Sequence, residues 1–424
     1  MTVTSITESA ATDAARESRL QPASTGAGVE HNVPKSGWLV VAFVYITMGS
    51  AVAPADVQLL GTSLVFIVIL LVAVVGLRHL PRDNALTLYA LGTIPLAVWV
   101  PVSAIAAWDA DTGYRSLGLL VWLVAVPGIA AWFRLPSIRT TLAVGFTLNA
   151  AIFCGEIIRR VISTGTALDP SLRSVMGTNR NAVAAVFAFL VPLIAAGRRF
   201  RLLRFAGVVV LLVSIAALGS RSSLVAAVAA LGLLLVLAGR RELLLVVPCG
   251  VLVLCFWLVA PSVFSDVVGF SAERFGSLRD ERVLPDEELR GLLLRKALFL
   301  AKEHPIFGVG LGNAETTVSG VASQAQFEVN SQRADRFQLH NTFAEALAAF
   351  GFVGGVFYLI FALMPIWIGV RRRSKRVTRG PTAGYLALMI WSFYHSALGG
   401  NLLLLAAALV LGASMAVEDQ ASRI

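Results

Sequence analysis

Residues 205–238 read FAGVVVLLVSIAALGSRSSLVAAVAALGLLLVLA, a run that is apolar except at its centre. As a single helix, these 34 residues would be about 51 Å long, whereas the hydrocarbon core of a bilayer is about 30 Å thick. The run must therefore be two membrane-spanning helices. The only polar place for the break is Gly219-Ser220-Arg221-Ser222-Ser223.

The composition of the whole chain agrees with this interpretation. Of its 424 residues, 57% are hydrophobic and only 14% are charged, which excludes a soluble enzyme and a disordered or fibrous protein. The apolar residues form unbroken runs and do not alternate with polar ones, so the sequence favours a helical bundle over a β-barrel. At about 20 residues per span, twelve runs are predicted, at roughly 37–53, 57–77, 85–107, 116–133, 140–158, 181–197, 205–219, 223–239, 243–263, 341–370, 382–399 and 401–417.

The predicted fold class is an all-α polytopic membrane protein with about 12 transmembrane helices and a large extracytoplasmic loop that contains an amphipathic helix. Lys and Arg concentrate in alternate connections, which by the positive-inside rule places both termini in the cytoplasm. Although the net charge is +10, its division into short tracts argues against nucleic acid as a partner. The predicted order is a disordered cytoplasmic tail (1–35), transmembrane helices 1–9 (36–263), the extracytoplasmic loop (264–340), transmembrane helices 10–12 (341–417) and a cytoplasmic tail (418–424).

The long loop is predicted to contain one helix. Asp286, Glu287 and Glu288 place negative charge at its start, an apolar stripe interrupted by cations continues from Leu289 to Glu303, and Pro305 follows. We expect this helix to lie on the membrane surface with its apolar face towards the lipid. The Gly308-Val309-Gly310-Leu311-Gly312 segment after it predicts a tight turn against the membrane domain, because no strand precedes it as a dinucleotide site would require.

His340 is the strongest candidate for chemistry. Thr342 and Glu345 have capping-box spacing, so the tenth span should begin with Thr342 as its N-cap. His340 then stands just ahead of a helix N-terminus, where the dipole favours a neutral imidazole able to act as a general base, and where free backbone N–H groups favour phosphate. The alternative is that His340 is an interfacial polar residue. Asn341 and Glu345 are candidate substrate-binding neighbours.

Arginines in the predicted outer segments are candidate phosphate ligands. Arg221 lies in the break between two spans, and Arg290 and Arg295 lie on the loop helix. Arg180 and its neighbour Asn181 precede the sixth span. A guanidinium group matches a pyrophosphate geometrically, although each arginine could equally be a solvated or headgroup-contacting residue. No group of His, Cys, Asp or Glu has ligand spacing, so we expect neither a metal nor a cofactor.

Several motifs now coincide in order. Arg290-x3-Leu294 is followed by His-Pro-Ile-Phe-Gly-Val-Gly-Leu-Gly-Asn at 304–313, and then by His340-Asn341 with Gly351 eleven residues after the histidine. Met176-Gly-Thr-Asn-Arg-Asn181 and the Gly219 to Ser223 break add two more. Over roughly residues 170–370, the chain resembles the O-antigen ligase and Wzy-type polymerase family of bacterial membrane glycosyltransferases. It departs from many members in having Leu294 where they have an aromatic residue.

The resemblance implies a function and a location. In that family, a glycan is transferred from undecaprenyl pyrophosphate at the outer face of the bacterial cytoplasmic membrane, without a metal. It implies that His340 is the base for the acceptor hydroxyl or amine, that Arg221 and Arg290 hold the pyrophosphate, and that the sugar centre is inverted. The acceptor could be a glycan, a lipid or a protein. A transporter or flippase of polyprenyl-linked glycans and a scaffold of envelope assembly remain as alternatives.

Overall fold

The protein is known from a computed structural model, which describes residues 70–107, 110–164, 174–175, 178–197, 201–218, 220–238, 286–313, 341–395 and 401–416. These parts are almost entirely helical. After a helical stretch at 70–77, the helices are α1 (Asn84–Ala107), α2 (Ala110–Phe133), α3 (Pro136–Thr164), α4 (Arg180–Ala195), α5 (Arg201–Ala217), α6 (Arg221–Ala238), α7 (Asp286–Glu303), α8 (Thr342–Arg371), α9 (Arg376–Ser392) and α10 (Asn401–Met415).

The predicted apolar runs that fall in the described residues are helices. Asn84–Ala107, Thr112–Phe133 and Thr342–Arg371 are long and apolar enough to cross a membrane, and four shorter apolar helices lie in α4, α5, α6 and α10. The chain is thus a helical membrane protein. The count of twelve spans stays a prediction, because the runs at 37–53 and 243–263 and residues 57–69 of the second run lie outside the described residues.

Some predicted boundaries were wrong. The run at 382–399 corresponds to α9, which begins at Arg376 and ends at Ser392, because a turn follows Ser392. The structure also contains a short element that was not predicted: β1 (Ser174–Val175) pairs antiparallel with β2 (Thr178–Asn179) just before α4. A ladder of two residues per strand has no hydrophobic period that a sequence pattern could reveal.

The break inside 205–238 is where membrane thickness requires it. Helix α5 ends at Ala217 and α6 begins at Arg221. The Ser220 hydroxyl is hydrogen-bonded to the Ser223 hydroxyl at 2.8 Å, and the Leu224 amide donates to the Ser220 carbonyl, which closes the first turn of α6.

Within the groups α1–α3, α4–α6 and α8–α10, helices that follow one another along the chain run in opposite directions. Cations gather at one end of these helices, which we call the basic end. There the side chain of Arg372, at the end of α8, contacts Asp83, ahead of α1, at 2.7 Å. Cationic side chains also donate to the last carbonyls of three helices, which satisfies groups that no intrahelical donor reaches. These pairs are Arg139 with Phe133 and Arg134, Arg204 with Ala195 and Gly197, and Lys375 with Ser414 and Ala416.

The opposite end, at which α8 begins, we call the Thr342 end. Helix α8 packs against α1, α7 and α9, and α9 packs against α4 and α6. The first residues of α6 and α8 meet at the Thr342 end through His395, which follows α9. The membrane-embedded core between the two ends is built from large buried side chains such as Trp122, Tyr358 and Phe361.

Helix α8 is interrupted at Gly351, whose φ of 69° and ψ of −175° are not helical. The interruption divides α8 into a short part of residues 342–350, at the Thr342 end, and a long part that continues to Arg371. Helix α7 packs against the short part.

Candidate active site at the start of helix α8

The loop helix predicted from 286–303 is present as α7, with the predicted bounds. We expected its apolar residues to face lipid, but part of them faces protein. Leu293, Ala297 and Leu300 are buried and form a small cluster with Val309 and with Ala344 and Ala348 of α8. One apolar side of α7 therefore packs on protein, while Leu294 and Leu298, on the neighbouring side, are 42% and 48% exposed. The spacing of apolar residues is the same for contact with lipid or with another helix, so it could not distinguish them.

The N-cap of α8 is Asn341 and not the predicted Thr342. The Asn341 carboxamide oxygen accepts hydrogen bonds from the Phe343 and Ala344 amides, both at 3.0 Å. The Thr342 hydroxyl instead donates to the His395 carbonyl at 2.8 Å. Asparagine caps as well as threonine does, and here it stands one residue earlier.

This cap also corrects the expected phosphate contact. Backbone N–H groups at this helix start were expected to be free for a phosphate, but the Phe343 and Ala344 amides donate to the Asn341 side chain. The positive end of the helix dipole remains at Asn341, and Glu345 in the first turn is favourably placed with respect to it. A phosphate at this end would therefore be held mainly by side chains.

The candidate base, His340, lies outside the described residues and immediately precedes the cap. For Arg180, Arg221 and Arg290, the structure gives the course of the backbone. Arg180 and Arg221 are the first residues of α4 and α6, and Arg290 lies in the second turn of α7. Since α4 and α6 begin at the Thr342 end and α7 packs on the short part of α8, all three elements converge there.

Helix α6 is joined to the start of α8 through one residue of α9's C-terminal turn. The Ser222 hydroxyl, next to Arg221, lies 3.2 Å from Nε2 of His395. The carbonyl of the same histidine accepts the Thr342 hydroxyl, two residues after His340. The His395 ring also stacks on Trp391, with ring centroids 4.7 Å apart. We call this arrangement the His395 bridge.

The remaining candidate residues differ in exposure. Arg295 is exposed on α7, whereas the adjacent Lys296 is only 3% exposed. Glu345 is 5% exposed, and Asn181 is partly buried in the first turn of α4. Lys296 was missed as a candidate, although its spacing of three from Leu293 and four from Leu300 places it on the side of α7 that packs inwards.

One ion pair lies near the end of α3, between Glu156 and Arg159. Arg159 donates to both carboxylate oxygens of Glu156, at 2.8 Å each. These hydrogen bonds and the opposite charge raise the pKa of Arg159, because both favour the guanidinium form. Glu156 therefore neutralises an arginine.

The geometry defines a helical membrane protein whose candidate site is assembled from helix ends at one side of the bundle. The family model described as O-antigen ligase matches residues 206–359. The matched segment contains Arg221, Arg290, His340 and Gly351, and it is a little more than a third of the chain. The resemblance to the O-antigen ligase and Wzy-type polymerase family is confirmed over these residues, and it supports a ligase-type function in membrane glycan transfer. A comparison with curated proteins gives no match.

Proposed function

We propose that the protein transfers a glycan from undecaprenyl pyrophosphate to an acceptor hydroxyl or amine at the outer face of the bacterial cytoplasmic membrane. One observation carries the proposal: the elements that bear Arg221 and Arg290 and the helix that follows His340 converge at the Thr342 end, inside the segment that matches the O-antigen ligase family. The acceptor is a glycan, a lipid or a protein, and membrane lipid surrounds the site.

In this mechanism, His340 accepts the proton of the acceptor hydroxyl or amine. The acceptor oxygen or nitrogen forms a bond to the anomeric carbon of the glycan while the bond from that carbon to the pyrophosphate breaks. Attack opposite the leaving group inverts the anomeric centre. Undecaprenyl pyrophosphate departs with the bonding electrons, and the imidazolium later releases its proton to water.

Arg221 and Arg290 neutralise the charge that grows on the departing pyrophosphate. A guanidinium fork gives two parallel hydrogen bonds to phosphate oxygens and stays charged at any physiological pH. Two such groups stabilise the leaving group electrostatically, which is the role a divalent cation has in other transferases. Arg180, Asn181, Arg295, Asn341 and Glu345 are proposed substrate-binding residues around them.

The distribution of cations sets the proposed orientation of the bundle in the membrane. The basic end collects Arg139, Arg204, Arg372 and Lys375, so by the positive-inside rule it faces the cytoplasm and the Thr342 end faces outwards. Both termini are then cytoplasmic and the site is extracytoplasmic, where a translocated lipid-linked glycan is presented.

The second candidate is a transporter or flippase of polyprenyl-linked glycans. It predicts functional charges near the middle of the membrane. Among the described residues, the buried charged side chains are Lys296 on α7 and Glu345 in the first turn of α8, both near one end of the bundle. This distribution favours transfer over transport.

The test is an assay with purified protein, undecaprenyl-pyrophosphate glycan and an acceptor, in detergent with EDTA present. We expect turnover by the native chain and products with inverted anomeric configuration by NMR. His340→Ala should lower the rate by about 10²- to 10⁴-fold, and Arg290→Ala should also lower it. His79→Ala and Arg373→Ala, which replace exposed residues near the basic end, are the matched controls. Full turnover by His340→Ala and Arg290→Ala would refute the assignment.

A further inference from the structure

The segment that follows α7 is attached to the interruption of α8 by backbone hydrogen bonds. The Val309 and Gly310 amides donate to the Ala348 and Ala349 carbonyls at 3.0 and 2.9 Å. In the other direction, the Phe352 amide donates to the Pro305 carbonyl at 2.8 Å. We call residues 305–313, bound in this way to α8, the clasp. Its hydrogen bonds replace helical ones that the interruption at Gly351 removes.

Glycine is required both in the clasp, at Gly308, and in α8, at Gly351. Gly308 and Gly351 have φ of 72° and 69°, in the region that L side chains rarely adopt. A Cβ on Gly351 would overlap the Ile306 carbonyl, and one on Gly308 would overlap the Ala349 carbonyl. The two backbones are therefore in direct contact, with no side chain between them.

Helix α1 holds the clasp from the other side. The buried Ser103 hydroxyl lies 2.6 Å from the Phe307 carbonyl oxygen and 3.1 Å from that of Ala349, so it bridges the two segments. Trp99 donates its indole N–H to the Phe350 carbonyl at 2.9 Å, and its ring stacks on Phe307 with centroids 5.5 Å apart. Both residues come from a part of the chain more than 200 positions away.

The clasp fixes the position of α7 relative to the start of α8, where the candidate site lies. The clasp joins the C-terminal end of α7 to the short part of α8. Helix α7 carries Arg290 in its second turn, and the short part of α8 directly follows His340 and Asn341. That short part spans nine residues, about 14 Å of helix. Its first turn and the second turn of α7 are thus fixed relative to each other by apolar packing at 293, 297 and 300 and by the clasp.

We propose that Ser103 and Trp99 are positioning residues for glycan transfer, because they hold the clasp that sets the Arg290 helix against the half-helix following His340. This inference rests on the proposed function for its catalytic part and on the hydrogen bonds above for its structural part. Neither residue touches the substrate. Each acts through the backbone carbonyls of Phe307, Ala349 and Phe350.

The experiment compares the native protein with Ser103→Ala, Trp99→Phe and the control Ser414→Ala, all in lipid nanodiscs. Ser414 is a buried serine of α10 whose hydroxyl bonds only within its own helix, to Leu411 at 2.6 Å, at the basic end. Trp99→Phe keeps an aromatic ring beside Phe307 but removes the indole donor. Hydrogen exchange of peptides covering 305–313 is measured together with KM and kcat for the undecaprenyl-pyrophosphate glycan.

We expect Ser103→Ala and Trp99→Phe to speed exchange in the clasp by about five- to thirtyfold, the effect of losing one or two kcal/mol locally. Both should raise KM for the donor several-fold with a melting temperature close to that of Ser414→Ala. Ser414→Ala should leave exchange and KM unchanged. Unaltered exchange in both clasp variants would refute the structural part, and faster exchange with native KM and kcat would refute the positioning role.

The proposed function and the positioning role of Ser103 and Trp99 are tested separately. If the native protein transfers no glycan, the proposed function fails, while the exchange measurement still tests whether Ser103 and Trp99 hold the clasp. If the native protein is active and the clasp variants match it in exchange and kinetics, only the positioning inference fails.

Discussion

Ser222 and His395 are 173 positions apart in the chain, yet the Ser222 hydroxyl lies 3.2 Å from Nε2 of the histidine. Ser222 adjoins Arg221, and the His395 carbonyl accepts the hydroxyl of Thr342. Through this bridge, the helix start that carries the proposed pyrophosphate ligand is tied to the helix start that follows the proposed base.

The His395 bridge predicts coupling between its two side chains. Ser222→Ala and His395→Ala should each lower kcat/KM for transfer by roughly fivefold to tenfold, the value of one partly buried hydrogen bond. The double variant should be little worse than either single one, because each change removes the same interaction. A double-mutant cycle on kcat/KM measures this coupling, expected at about 1 kcal/mol. Strictly additive losses would show that the two side chains act independently.

Gly351 should tolerate no side chain. Gly351→Ala combines a backbone conformation that costs about 1–3 kcal/mol for a residue with a Cβ with overlap of that Cβ on the Ile306 carbonyl. We expect a marked loss of thermal stability and of transfer. The control is Gly232→Ala in α6, where a Cβ meets no atom within 4 Å. Alanine there should be neutral or stabilising by up to about 1 kcal/mol. Equal melting temperatures for the two variants would contradict this account of the interruption.

Two substitutions of Asn341 separate its role as the N-cap of α8 from its proposed role in substrate binding. Asn341→Ser keeps an oxygen that can accept from the Phe343 and Ala344 amides, whereas Asn341→Ala removes it. We expect Asn341→Ala to lower the free energy of unfolding by about 1 kcal/mol and Asn341→Ser to lower it by much less. If capping is the main role, activity should follow stability. A stable but inactive Asn341→Ser would instead show that the carboxamide contacts substrate.

The proposed orientation predicts the accessibility of single cysteines. In a background without Cys154, Cys249 and Cys255, Arg295→Cys on α7 should react with a membrane-impermeant maleimide in intact cells. Arg373→Cys, exposed at the basic end, should react only after the membrane is permeabilised. Labelling of both positions in intact cells, or of Arg373→Cys alone, would contradict an outward-facing Thr342 end.

The sequence predicted the elements better than their contacts. Membrane thickness alone required the break inside 205–238, and the acidic start and following proline located α7 to the residue. The strand pair of 174–175 with 178–179 was not predicted and the bounds of α9 were predicted wrongly, since no periodic signal marks either. The interruption at Gly351 was visible only as a motif residue, because its cause is the approach of Ile306 from another part of the chain.

For the candidate site, the sequence predicted which residues matter and where they lie along the helices. It did not predict their hydrogen-bond partners and packing contacts. The capping pattern located the start of α8, yet the choice of Asn341 over Thr342 depends on the His395 carbonyl that occupies the threonine hydroxyl. Likewise, the spacing of Lys296 from Leu293 and Leu300 puts it on the same side of α7 as these leucines, and Arg295 on a different side. Only the packing of Leu293 and Leu300 on α8 shows that this side faces protein and not lipid.

The most direct test of the central claim is a cryo-EM structure of the protein in nanodiscs with undecaprenyl pyrophosphate bound. We predict that the pyrophosphate lies at the Thr342 end, within about 2.7–3.2 Å of the guanidinium groups of Arg221 and Arg290, with His340 facing the position of the departed sugar. A pyrophosphate bound at the basic end, or out of hydrogen-bonding reach of both arginines, would contradict the account.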